Sequence, residues 1–361
     1  MQTDNLKFLK ALCEAPSPSG VEMPAAQVMR ERLATSADSI ETSVIGNVYA
    51  TLKGKGDGPS VMIAGHIDQV GLMVKYITDD GYLYFDPVGG VDAAILPGQR
   101  VNVYGTARDL HQPELLRGMI GRKPIHLIEA DERKTITPLD KLFIDIGMSG
   151  EEARAHVMIG DVITYGMGFE EYGQGMAASL AFDDKLGVYI ASRVLEEVKA
   201  AGGAAGDLIA AGTVQEEVGL RGGETSAYAV NPDIGISAEV GHATDYPGID
   251  KTKYGEAICG KGPLIARGSN INPTWFARMV EAAKATDTPY QIGPENRATG
   301  TDANPIQISR GGKVAGLISI PLRYMHTPTE VLALSDLEAA VKILTRFVLD
   351  LDAQVDFTPQ L

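Results

Sequence analysis

Apolar positions in the first fourteen residues recur at helical spacing. Leu6, Leu9, Leu12 and Cys13 fall on one face and predict a helix over Thr3–Glu14. The following PSPSG segment is a turn that stops it. A second helix is expected from about Glu22 to Leu33, then strands near Ser43–Leu52 and Ser60–Ile67. The run VMIAGHID is apolar on both faces, as a central strand covered on two sides has to be. His66 and Asp68 then lie at the carboxyl end of a strand, the edge of an open α/β sheet where ligands bind.

The texture changes after Val70. As far as Met167 the chain is built of short β-like pieces, LMVKYI, YLYFDPV, RVNVYG, LRGMIGRK, KLFIDIG and DVITYG, separated by turn clusters. One short helix is expected near Gly150–His156. That pattern predicts a small all-β domain or barrel. The α/β rhythm resumes around Phe182. Helices are expected at Asp184–Ala200, Gly222–Tyr228, Pro273–Lys284 and Asn304–Ser309. The strands DLIAAGTVQ, IGISAEV and VAGLISIP lie between them, the first running into Glu216–Glu217 and the second ending at Glu239–Val240. A last helix is expected from Ser335, where Glu338 three residues on completes a capping box, to about Leu351. The reading is an α/β fold in two domains, with residues 1–69 and 168–361 in one and 70–167 inserted as the other. A chain of 361 residues suits that division.

Composition narrows the partners. With 44% apolar and 22% charged residues the chain is globular rather than disordered. A net charge of −15 argues against nucleic-acid binding, which relies on Lys and Arg neutralising phosphates. Cys13 and Cys259 are the only cysteines, which excludes a disulfide framework and argues against a cysteine-based zinc site. The N-terminus reads as an amphipathic helix rather than a signal peptide. No apolar stretch approaches the ~20 residues of a membrane span. A cytoplasmic location is the expectation.

Acids and histidines recur at the element ends of the α/β part. His66 and Asp68 follow VMIAG, and Asp183 and Asp184 follow AASLAF. Glu216 and Glu217 follow DLIAAGTVQ, Glu239 follows IGIS, and His326 follows ISIPLRYM. Singly, each has a plain structural reading, such as a helix cap for Asp183 and Asp184. Adjacent acids in an apolar run are costly unless something positive pairs with them, and a metal pair would do so. A two-metal hydrolase needs hard oxygen donors, imidazoles, one bridging carboxylate and one carboxylate left free as a base. On that reading Asp183 bridges, Glu217 ligates, Glu216 is the general base, and His326 closes the site. Asp68 would hydrogen-bond the far nitrogen of His66.

The segments AGHIDQVG, AFDDKLG, TVQEEVGLRG, ISAEVGHATDYPG, GTDANPIQISRGG and ISIPLRYMHTPTEV closely resemble those of the tetrahedral (TET) aminopeptidases. These co-catalytic metallopeptidases are also known as glutamyl aminopeptidase or endoglucanase-M-like proteins. The resemblance covers almost the whole chain. It implies a phosphorylase/hydrolase-like mixed-sheet α/β catalytic domain with an inserted PDZ-like all-β dimerisation domain. It also implies a dodecameric particle, peptide substrates with a free N-terminus, and two divalent ions per subunit, zinc or cobalt ahead of manganese. By matching motif, His66 and Glu239 would ligate one ion, Glu217 and His326 the other, and Asp183 both. Two positions depart from the family pattern: Glu239 stands where Asp is expected, and Lys185 where Arg is expected.

The alternatives are a two-metal amidase, deacylase or carboxypeptidase acting on blocked substrates, a glycosidase, and a non-catalytic oligomeric scaffold. A glycosidase would leave His66 and His326 without a role. Other residues carry subsidiary expectations. His242 would support the site, and His111, His126 and His156 would be surface residues. Thr301 or Asp302 would line the pocket or cap a helix, Gly89–Gly90 and Gly311–Gly312 would be turns, and Arg267 or Arg323 could select an acidic side chain.

Overall fold

The computed structural model describes residues 1–129 and 132–359. Two helices open the chain, α1 (Thr3–Glu14) and α2 (Met23–Leu33), followed by strands β1 (Ser39–Thr42), β2 (Val48–Leu52) and β3 (Val61–His66). The β-rich segment holds β4 (Gly71–Ile77), β5 (Leu83–Val88), β6 (Arg100–Gly105), β7 (Glu114–Gly121), β8 (Phe143–Asp145), α3 (Gly150–His156) and β9 (Val162–Tyr165). Next come β10 (Glu170–Tyr172), β11 (Met176–Ser179), α4 (Phe182–Ala200), β12 (Leu208–Thr213), α5 (Arg221–Val230), β13 (Ile234–His242) and α6 (Lys251–Tyr254). The chain ends with β14 (Leu264–Gly268), α7 (Pro273–Ala285), β15 (Gln291–Glu295), α8 (Ala303–Ile308), β16 (Val314–Leu322), β17 (Glu330–Ala333) and α9 (Leu334–Leu349).

The fold is mixed α/β. An eight-stranded sheet runs in the order β1-β2-β12-β3-β13-β16-β14-β15. Its centre, β12-β3-β13-β16, is parallel, so the carboxyl ends of these strands share one edge. Alternating side chains serve two faces. Val61 and Ile63 join the large core beneath α1, α2, α4, α7 and α9, while Met62 and Ala64 join a smaller one with Ala227 of α5 and Ile306 of α8. A Cβ on Gly65 would stand 2.2 Å from the backbone of Gly187. Only glycine at that position lets the start of α4 lie directly on β3, which brings Asp183 and Asp184 to His66.

The strands β4-β5-β8-β7-β6-β9 close into a barrel, as the short alternating pieces suggested. Its core is separate and includes Val74, Phe85, Val101, Val103, Ile120 and Ile163. No helix among the described residues is long and apolar enough to cross a membrane. Both cysteines are free, Cys13 buried and Cys259 half-buried.

Several expectations are corrected. The strand expected over Ser43–Leu52 is confined to β2, because Gly46 at φ +111° turns the chain just before it and pairs β2 with β1 in a hairpin. The last helix starts one residue earlier, at Leu334, directly out of β17 and with no side-chain cap. Glu338 is drawn away from any capping box by the Tyr189 hydroxyl, which donates to it at 2.7 Å. The strand into Glu216–Glu217 stops at Thr213, and Gln215 at φ +57° takes both acids out of the sheet.

Candidate metal centre

Each candidate side chain reaches the centre by a different backbone device. His66 is the last residue of β3, and Glu239 lies within β13. Asp183 and Asp184 hold non-helical dihedrals at the start of α4, and the peptide between them is cis. Asp184 accepts the Gly187 N–H at 3.1 Å and the His66 N–H at 3.0 Å. It therefore serves as the helix cap, while Asp183 is left for the cleft. His326 follows β16 in a left-handed turn at φ +61°.

Asp183 lies between the two imidazoles. One carboxylate oxygen is 3.0 Å from His66 Nε2 and the other 3.2 Å from His326 Nε2. Glu216 approaches His66 Nε2 at 3.7 Å, and Glu217 approaches His326 Nε2 at 3.5 Å. The donor atoms of His66, Asp183 and Glu217 lie within 4.8 Å of one another, as do those of His66, Glu216 and Glu239. The Nδ1 atom of each histidine faces a backbone carbonyl, that of Asp68 at 3.0 Å and that of Gly90 at 2.9 Å. With Nδ1–H donated to these carbonyls, each Nε2 is the ring nitrogen turned toward Asp183 and is the one a bound cation would take.

The electrostatics show a centre short of positive charge. Burial, with help from neighbouring acids, pushes the carboxyls of Glu216 and Glu217 up to about 8 and about 7. Burial and Asp184 push Glu239 well above the carboxylate range. Burial opposes ionisation of Asp183 too, but His326 and His66 together hold it low. The Asp183 contact raises His326 to about 9. His66 is raised well above 6.5 because Glu216, Asp183 and Asp68 outweigh its burial. One oxygen each of Glu217 and Glu239 is buried without a hydrogen-bond partner among the described residues. Buried acceptors of this kind are expensive unless a cation satisfies them. Hard carboxylate oxygens mixed with imidazole nitrogens form a donor set that fits divalent ions such as zinc, cobalt or manganese.

The centre floors a cleft of about 590 Å³. Its walls include Thr301, Leu264, Glu256, Glu295 and the exposed His242. Asp302 is behind the wall, accepting the Thr213 hydroxyl at 2.6 Å. Arg323 is engaged with Asp245 through two hydrogen bonds of 2.7 and 2.6 Å, and Arg267 stacks on Phe276. Neither arginine lines the cleft. His111 and His126 are exposed, whereas His156 is tucked between Glu114 and Arg108, 2.8 Å from each.

Asp68 lies beside His66 and has a further task. Its carboxylate is 3.6 Å from His66 Nδ1, and it is the backbone carbonyl that contacts the ring. The carboxylate accepts the N–H groups of Glu216 and Glu217 and the Ser19 hydroxyl. Lys185 is fully buried and donates to Gln69 and to the carbonyl of Ala15, and no carboxylate among the described residues pairs with it. Two participants escaped the sequence reading. Glu330 accepts the N–H of Asp183 at 3.1 Å and that of His326 at 2.8 Å, tying the two segments together. An acid opening the apolar run EVLAL was the available signal. The other is Gly90, which brings a backbone carbonyl from the β-rich segment to His326.

Fold and centre define the class: an α/β protein with a His/carboxylate cluster suited to divalent cations at the carboxyl edge of its sheet. Residues 46–343 match the model of the M42 glutamyl aminopeptidase family. The chain is 33% identical to the lysyl aminopeptidase of Pyrococcus furiosus, covering 98% of this chain and 99% of that one. It is 27% identical to the glutamyl aminopeptidase of Lactococcus lactis, over 96% of each. Among solved structures, the TET aminopeptidase of a marine-sediment Thaumarchaeota archaeon superposes with a TM-score of 0.90 at 34% identity, over 97% of both chains. The TET1 peptidase of Pyrococcus horikoshii, described as assembling into a tetrahedron or a large octahedral shell, gives 0.82 at 29%, over 96% of this chain and 99% of that one. The chain belongs to the M42 family of glutamyl aminopeptidases, the TET aminopeptidases its motifs resemble.

Proposed function

We propose that this protein removes N-terminal residues from peptides with the aid of two divalent ions. His66 and Glu239 would hold one ion, Glu217 and His326 the other, and Asp183 both. The observation that carries this reading is the Asp183 carboxylate, with one oxygen toward each imidazole. Bound there, the ions supply an activated water and polarise the scissile carbonyl. Glu216, left free by that ligand set and 3.7 Å from His66 Nε2, would take a proton from the attacking water and pass it to the leaving amine. The acids of the cleft hold the free α-amine of the substrate. Asp68 and Glu330 act indirectly, fixing the backbone that carries Glu216, Asp183 and His326.

The test is a panel of aminoacyl substrates, each with a free or an acetylated amine, run after chelation and re-addition of zinc, cobalt or manganese. Metal-restored hydrolysis of the free-amine series alone is expected. Preference for blocked substrates would favour a two-metal amidase, deacylase or carboxypeptidase.

The same reading divides the chain into a catalytic domain, residues 1–69 with 168–361, and an inserted domain of residues 70–167. The inserted barrel, read as PDZ-like, would join subunits into dimers and these into a closed homo-oligomer. Twelve copies of the 38.4 kDa chain would weigh 460.8 kDa, which light scattering measures. A cytoplasmic setting accords with the two free thiols.

A further inference from the structure

A second groove lies beside the catalytic cleft, between α5 and α8. It encloses about 580 Å³, within the range of small-ligand sites. The two concavities share Gly219 and Leu220, which line both. Gly219 is three residues beyond Glu216, is exposed, and sits at φ +125°. No atom lies within 4 Å of the place a Cβ would occupy there, so nothing packs over Gly219 where cleft and groove adjoin.

The groove has an uncommon surface. Tyr228 is 63% exposed and Ile308 70%, two large apolar side chains facing water at one place. Arg310 stacks on the Tyr228 ring at 4.1 Å, and its Nε and Nη2 donate to the Tyr228 carbonyl at 3.1 and 2.6 Å. The guanidinium is thus fixed in place, and among the described residues no carboxylate pairs with it. Acids therefore gather at the metal-centre end of these two adjoining concavities, and a fixed cation stands at the other. A peptide has the complementary polarity, an ammonium at its first residue and a carboxylate at its last.

We propose that this groove binds the downstream part of a peptide substrate. An apolar side chain lodges between Tyr228 and Ile308, and Arg310 receives the terminal carboxylate. Glu224, on the same groove, disfavours an acidic side chain there. An extended chain advances about 3.3 Å per residue, so a pentapeptide extends past the shared Gly219–Leu220 rim toward the groove where a dipeptide stops short. The proposal rests on the peptidase assignment and adds a length and sequence preference to it.

The experiment compares a dipeptide with pentapeptides sharing its first two residues, carrying Leu or Ser at position four and a free or amidated C-terminus. In the wild type, kcat/KM is expected to favour the Leu pentapeptide with a free C-terminus by roughly tenfold, mostly through KM. Ile308→Ser should bring the Leu-to-Ser ratio close to one, and Arg310→Ala should do the same for the acid-to-amide ratio. Fluorescence-polarisation binding of the labelled pentapeptide to a Glu216→Gln background reads the same groove without turnover, so the two readings fail separately. Ratios and affinities unmoved by either substitution would overturn the proposal. So would variants that change only the particle mass, which would make the groove a contact between copies of the chain.

Discussion

The Asp68 carboxylate accepts the backbone N–H of Glu216 at 3.0 Å. Its other oxygen takes the Glu217 N–H at 3.2 Å and the Ser19 hydroxyl at 2.6 Å. A side chain expected to steer an imidazole also anchors the loop that carries the proposed base. Asp68→Ala would strip the acceptor from two amides and a hydroxyl, each costing about 1–3 kcal/mol when buried and unsatisfied. The loop would shift, and misplacement by about 1 Å costs on the order of 100-fold in rate. We expect kcat to fall by roughly that factor with a smaller change in KM. A kcat within threefold of wild type would contradict the anchoring role.

Glu330 and Gly90 lead to predictions about metal retention. Glu330→Ala frees the N–H groups of Asp183 and His326 together. A fall in thermal midpoint and weaker metal binding should appear together. Gly90→Val acts differently. A Cβ there would already lie 3.0 Å from His326 Nδ1, and branching leaves no room for the ring in its present place. Loss of such an orienting contact typically costs 10- to 100-fold in metal affinity. Competition with a chromophoric chelator measures it, and an unchanged affinity would rule out the carbonyl as an orienting group.

The metal-free protein should lose stability as pH rises from about 5 to 7. Glu216 and Glu330 are raised from 4.5 to about 8 and Glu217 to about 7, chiefly by burial, and Asp302 from 3.8 to about 6. A raised acid binds more protons folded than unfolded, so its contribution is complete below the unfolded value and drains away as pH climbs toward the folded one. Raised His326 acts in the same direction above 6.5. Lys185, lowered to about 7 by burial, works the other way only above that pH. Scanning fluorimetry of chelated protein should show a falling midpoint across the window, and added metal should restore more at pH 7 than at pH 5. A rising midpoint would mean that these carboxylates are less crowded than their positions indicate.

The sequence made visible what depends on long periodic runs. Thr3–Glu14 is a helix over the very residues that its pattern marked, and the buried strand before His66 follows from an unbroken apolar run. Short elements were harder. LIARG of β14 and QIGPE of β15 mix Arg, Gly and Pro into five-residue strands and show no alternation. At the centre, acids closing apolar runs were legible because burying them needs a reason. Their partners were not. That Asp68 grips the amides of Glu216 and Glu217 depends on where the Gln215 turn sends the backbone. Gly90 contributes only a carbonyl, which has no side-chain signature.

Glu216, whose carboxylate is 3.7 Å from His66 Nε2, is assigned as base rather than ligand. Glu216→Gln keeps the shape and removes the proton acceptor. The measurement is metal stoichiometry by elemental analysis together with kcat on a free-amine substrate, in one preparation. We predict close to two ions per chain and a kcat reduced by roughly 100-fold or more. Turnover near wild type, or loss of an ion along with activity, would contradict the assignment.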